Sequence, residues 1–63
     1  MRLSEFWDRV AATLGPQADT VVRDRVLAEL GQRTAVQALE DGERPETVWR
    51  ALVDELPLPR RLR

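Results

Sequence analysis

The side chains in this chain that could carry chemistry are eleven carboxylates, ten arginines and a few hydroxyls. A carboxylate acts as a general acid or base only when its surroundings tune its pKa, and it holds a divalent cation only when several oxygens converge. The densest acidic group is Glu40, Asp41, Glu43 and Glu46. Its spacing does not match the calcium loop of an EF-hand, and Glu46 suits the positive end of a helix opening at Pro45. A solvated acidic face is its expected role. Ser4 and Thr34 stand where helices should begin, so their hydroxyls are expected to cap free amides. Gly15, Gly31 and Gly42 occur singly, too far apart for a phosphate-cradling loop. His and Cys are absent, which removes disulfides, thiolate or imidazole metal sites and His- or Cys-based nucleophile pairs. The expectation is a non-enzymatic chain with no catalytic residue, no cofactor and no metal.

The arginines are the remaining candidates. Residues 1–56 carry seven arginines against eleven acids, a balance of −4, whereas the last seven residues add Arg60, Arg61 and Arg63 and no acid. A guanidinium recognises phosphate or carboxylate through two parallel hydrogen bonds. Arg44, Arg50, Arg60, Arg61 and Arg63 are therefore the candidate contacts for a protein partner or a nucleic acid. Every basic residue is Arg, and Ile, Asn and Tyr are missing along with Lys. Since the codons of these four are rich in A and T, a G+C-rich genome accounts for the arginine bias more simply than selection for phosphate binding.

Four helical segments should position these side chains. Leu3, Phe6, Trp7, Val10, Ala11 and Leu14 repeat at the i, i+3, i+4, i+7 spacing of one helical face. Ser4 is the expected N-cap, and Gly15 and Pro16 the stop. A second helix is expected from Pro16 to about Leu30, with Val21, Val22, Val26, Leu27 and Leu30 on its apolar face and Gly31 at its end. Thr34 and Gln37 form a capping box for a short helix over Ala35 to Glu40, which Gly42 ends. Pro45 then opens a helix carrying Val48, Trp49, Leu52, Val53 and Leu56. No stretch alternates with period two over a useful length, so no strand is expected.

The predicted fold is therefore all-α, a compact bundle of four short helices. Its single domain spans residues 1–56, followed by a Pro/Arg-rich tail over 57–63. The core is expected to comprise Phe6, Trp7, Val10, Leu14, Val22, Val26, Leu30, Leu39, Val48, Trp49 and Leu52. In so short a chain roughly 40% of the unfolded surface stays exposed, a condition that favours added contacts with a partner or a second copy. The helix pair over 34–56, joined by a glycine turn, has a helix-turn-helix-like layout. Glu43 at the turn and Glu46, Asp54 and Glu55 on the second helix oppose a DNA-reading role, because phosphate contacts supply most non-specific affinity. The N-terminus is charged by its fifth residue and has no apolar run of membrane-spanning length, so a cytoplasmic protein without a membrane partner is expected.

The order MRLSEFW, VLAELGQRT, QAL, a Gly-x-x-Pro turn, VWRAL and a closing proline with arginines resembles a family of short actinobacterial proteins classed as a domain of unknown function. The resemblance covers nearly the whole chain. It implies a gene neighbourhood often shared with the recombinase RecA and its regulator RecX, and no established site residues. Arg25 stands where the family commonly has His, and Val53 where a Cys often follows WRAL. Neither a titrating imidazole nor a thiol is then required. Two functions follow as expectations: a protein-interaction or regulatory module, or a nucleic-acid binder using the 34–56 pair and the tail, with a link to recombination or repair. A homodimer is a third arrangement.

Overall fold

The computed structural model describes residues 1–56. Helix α1 runs over Leu3–Leu14, α2 over Ala18–Asp24, α3 over Ala35–Glu40 and α4 over Pro45–Glu55. Between α2 and α3 lie two short strands, β1 at Val26–Leu27 and β2 at Arg33–Thr34, with a 3-10 turn at Ala28–Leu30. The fold is thus mostly helical with a small two-stranded antiparallel sheet, in which Val26 pairs with Thr34 and Leu27 with Arg33. This corrects the all-α expectation. The second helix stops at Asp24, and Arg25 is already extended.

The physical reason is that residues 26–30 satisfy helical and strand spacing alike, which short apolar windows cannot separate. β-branched Val26 favours the pleated alternative, and the Glu55 carboxylate on α4 stabilises it by accepting from the Ala28 and Glu29 amides, at 2.9 Å each. The outcome inverts the two neighbouring side chains. Val26, expected in the core, is 49% exposed, while Leu27 is fully buried. Gly31 still ends a turn in the left-handed region, at φ 69°, but the turn is 3-10. Gln32 follows at φ 63°, an uncommon conformation for a residue with a Cβ.

Other boundaries depart less. The N-cap of α1 is Arg2, because the N3 residue Glu5 reaches back to accept from the Arg2 amide at 3.3 Å. With Ser4 as cap, N3 would be Trp7, which has no acceptor to offer. The capping box of α3 forms as its sequence implies: Thr34 Oγ1 accepts from the Gln37 amide, and Gln37 Oε1 from the Thr34 amide. After α3 the Gly42 amide bonds to the Leu39 carbonyl and the Glu43 amide to the Ala38 carbonyl. That is the Schellman pattern, and Gly42 supplies its positive φ of 97°. Pro45 is the first residue of α4.

The core is one cluster centred on Phe6, Val10, Val22, Leu27, Leu30, Ala35, Ala38, Val48, Ala51 and Leu52. Leu14, Leu39 and Trp49 are half-buried against it. Trp7 is corrected from core to surface: it is 39% exposed, and its ring meets Phe6 edge-on at 5.1 Å. The apolar stripe of α1 is wider than the surface available to cover it, so Phe6 and Val10 are buried while Leu3 and Trp7 remain outside. Among the described residues, no helix is long and apolar enough to cross a membrane.

Candidate functional site

Two groups of charged side chains stand out, and they differ in kind. The first is centred on Arg33 at the start of β2. Its Nε donates to the Leu30 carbonyl at 2.6 Å, Nη1 to Asp41 Oδ2 at 3.0 Å and Nη2 to Glu43 Oε2 at 2.7 Å. These two hydrogen-bonded carboxylates hold the guanidinium pKa above its usual value. The planar fork ties the hairpin loop to the α3–α4 turn. Glu43, which sits awkwardly in a DNA-reading turn, thus has a structural role.

The second group lines an open cleft of about 440 Å³ between α1 and α4. Glu5 and Arg9, one turn apart on α1, face Glu46, Arg50 and Asp54, which stand at successive turns of α4. Trp49 and Val53 supply the apolar wall, and Met1 also lines the cleft. The cleft therefore combines a flat aromatic surface with charges of both signs, a composition suited to a polypeptide more than to a polyanion. A smaller hollow of about 180 Å³ lies between α1 and α2, beside the exposed Trp7.

Beside the cleft, the Glu29 carboxyl is held above its usual range. Partial loss of solvent is the main cause, followed by the facing Asp54 and Glu55 carboxylates, with Arg50 opposing. Among the described residues no cluster of three or more His, Cys, Asp or Glu side chains has the geometry to hold a metal ion.

Of the sequence-derived candidates, Arg50 lies in the cleft. Arg44 is the N-cap of α4, with its side chain 82% exposed and Nη1 3.9 Å from Glu46 Oε1. Arg60, Arg61 and Arg63 lie outside the described residues. The structure brings Arg50 together with Glu5 and Arg9, two residues that lie off the apolar stripe of α1. Their i, i+4 spacing marked a common edge of α1, but only the packing of α1 on α4 sets that edge opposite Arg50. Arg33 carried no comparable signal, since its three acceptors are met only once the hairpin forms.

Fold and site define a small, mostly helical domain with a charged cleft walled by tryptophan. Residues 1–61 match the family described as "Protein of unknown function (DUF3046)". The match spans nearly the whole chain, and the protein belongs to that family. No curated protein and no solved structure matches the chain.

Proposed function

We propose that this chain is a small non-enzymatic interaction module of the actinobacterial cytoplasm, and that the cleft between α1 and α4 is where it engages a larger protein. The observation that carries this reading is the convergence of Arg9, Arg50, Glu5, Glu46 and Asp54 around the Trp49 wall. Among the described residues neither Arg9 nor Arg50 makes an ion pair, in contrast to Arg23, Arg33 and Arg44. Tryptophan and arginine are the residue types that dominate protein interfaces when truncated. A chain without His, Cys, Lys or Tyr has no imidazole, thiol, amine or phenol side chain to serve as general base or nucleophile.

The nucleic-acid reading, with the recombination or repair link implied by the family's gene neighbourhood, has weaker support. Arg44 lies beside Glu46, and Arg50 shares its cleft with Glu46 and Asp54. The charge balance of residues 1–56 is −4, from seven arginines and eleven acids, and repels phosphate.

Site-directed photo-crosslinking tests the proposal. Single thiols are introduced by Asp54→Cys at the exposed rim of the cleft and by Asp24→Cys on the exposed end of α2. Each variant is then loaded with a crosslinker in a native extract. The expected result is one identified protein joined through position 54 and not through position 24. Identical products at both positions, or none, overturn the proposal. Salt-dependent binding of duplex DNA, lost on Arg50→Glu, would support the nucleic-acid reading instead.

A further inference from the structure

The cleft between α1 and α4 holds three carboxylates, Glu5, Glu46 and Asp54, and two guanidiniums, Arg9 and Arg50, a count that by itself favours a basic ligand. The neighbours of each group reverse that balance. Glu5 Oε1 accepts from the Arg2 amide at 3.3 Å within the α1 capping box, and Glu46 Oε1 lies 3.9 Å from Arg44 Nη1. Asp54 faces the Glu29 carboxyl, whose protonated form it favours. Each acid thus has a group of the chain beside it that takes up part of its charge or its accepting capacity. Arg9 and Arg50 are exposed, and neither has an ion-pair partner among the described residues.

A guanidinium offers five donors in a fixed fork, and a carboxylate placed between two such groups can accept from both. The apolar wall adjoins this position: half-buried Trp49 precedes Arg50 in α4, and Val53 follows one turn after Trp49. A ligand that meets both features carries an acidic side chain beside an apolar one. The balance of −4 over residues 1–56, from seven arginines and eleven acids, opposes such a ligand only weakly. Screening at physiological salt limits that field to about 8 Å, whereas the forks act at hydrogen-bond distance. A run of phosphates is disfavoured more strongly, because it would carry successive charges past Glu5, Glu46 and Asp54.

We propose that the cleft recognises a peptide segment through one acidic side chain, clamped between the guanidiniums of Arg9 and Arg50, with an apolar neighbour of that residue on Trp49. The clamp rests on the reading of the cleft as a docking surface and names the chemistry of what docks there.

Selection from a random library of short peptides, with the full chain as bait, tests the clamp. On the native chain, Asp or Glu beside an apolar residue is expected to be enriched several-fold over the unselected library. On Arg9→Glu with Arg50→Glu the preference should turn to Lys or Arg, whereas Arg33→Gln keeps the native preference. Exchanging the selected acid for its amide is expected to weaken binding to the native chain about tenfold or more, the effect of losing a hydrogen bond between charged groups. That arm changes only the peptide, so it holds whatever the variants do to folding. Enrichment of no peptide, a basic preference on the native chain, or an acidic preference that survives the double reversal overturns the proposal, as does equal binding of acid and amide. The crosslinking result is separable from this one. A protein joined through position 54, together with a library that shows no acidic preference, would reject the clamp and retain the docking surface. An acidic preference without a crosslinked protein would retain the clamp and reject the partner in the extract.

Discussion

Arg33 and Arg50 are both surface guanidiniums with carboxylates close by, yet the fold treats them differently. Arg33 donates to a carbonyl and to two carboxylates within the chain, and its geometry is set by the hairpin and the Schellman turn. Arg50 faces an open cleft with Arg9 across from it, and neither pairs with an acid among the described residues. An arginine engaged on all sides holds structure; one beside an aromatic wall and unpaired in this way is available for contact. Charge counts do not separate the two cases, whereas the partners of each nitrogen do.

The comparison breaks first if the hairpin is not an integral part of the core. Leu27→Ala is expected to cost about 2–5 kcal/mol, the range for emptying a buried leucine site, whereas Val26→Thr, at the exposed neighbouring position, should stay within roughly 0.5 kcal/mol. Urea unfolding of both variants checks this. A similar loss at the two positions would restore the helical reading of this segment.

Arg33→Gln should lower the melting temperature by less than Leu27→Ala, since it leaves Asp41 and Glu43 without their shared cation. Removing those acids as well, by Asp41→Asn and Glu43→Gln, should recover part of the loss. The non-additivity between the single and combined changes measures the fork. Strict additivity would mean that the three side chains act independently.

Glu55→Ala removes the acceptor of two backbone amides at the start of the 3-10 turn. A loss of about 1 kcal/mol is expected, because these amides can turn to water when freed. Hydrogen exchange at Ala28 and Glu29 should accelerate; unchanged exchange would show that α4 does not hold the hairpin.

The smallest effect is at Glu29, where the sign is the informative quantity. Its folded pKa is raised by loss of solvent and by Asp54 and Glu55, so the folded state prefers the protonated form. Stability from this group is present below the ordinary glutamate pKa near ~4.3 and lost as pH rises through the folded value. Glu29→Gln should therefore raise the melting temperature slightly at neutral pH and leave it unchanged at low pH. The opposite sign in a pH series of melts would contradict the placement of these carboxylates.

Much of the fold is legible where local chemistry decides it. Thr34 with Gln37, Gly42 and Pro45 delimit α3 and α4 because caps, a positive φ and a missing amide act over a few residues. Local patterning fails at Val26 and Leu27, where a contact from Glu55, more than twenty residues away, helps decide between two permitted spacings. It fails again at Trp7, whose exposure depends on how little surface so short a chain has to cover α1. Arg50 was readable as a candidate from its type and helix. Its cleft was not, because Arg9 and Glu5 reach it only through the packing of α1 against α4.

The central claim is that the cleft charges serve contact and the Arg33 charges serve folding. The most direct measurement determines, for the same pair of variants made in the Asp54→Cys background, both melting temperature and capture of the crosslinked partner. Arg9→Glu with Arg50→Glu is predicted to abolish capture while melting close to the native chain, and Arg33→Gln to melt lower while its folded fraction still captures. Retained capture in the cleft variant, or a collapse of its melting temperature, would contradict the account.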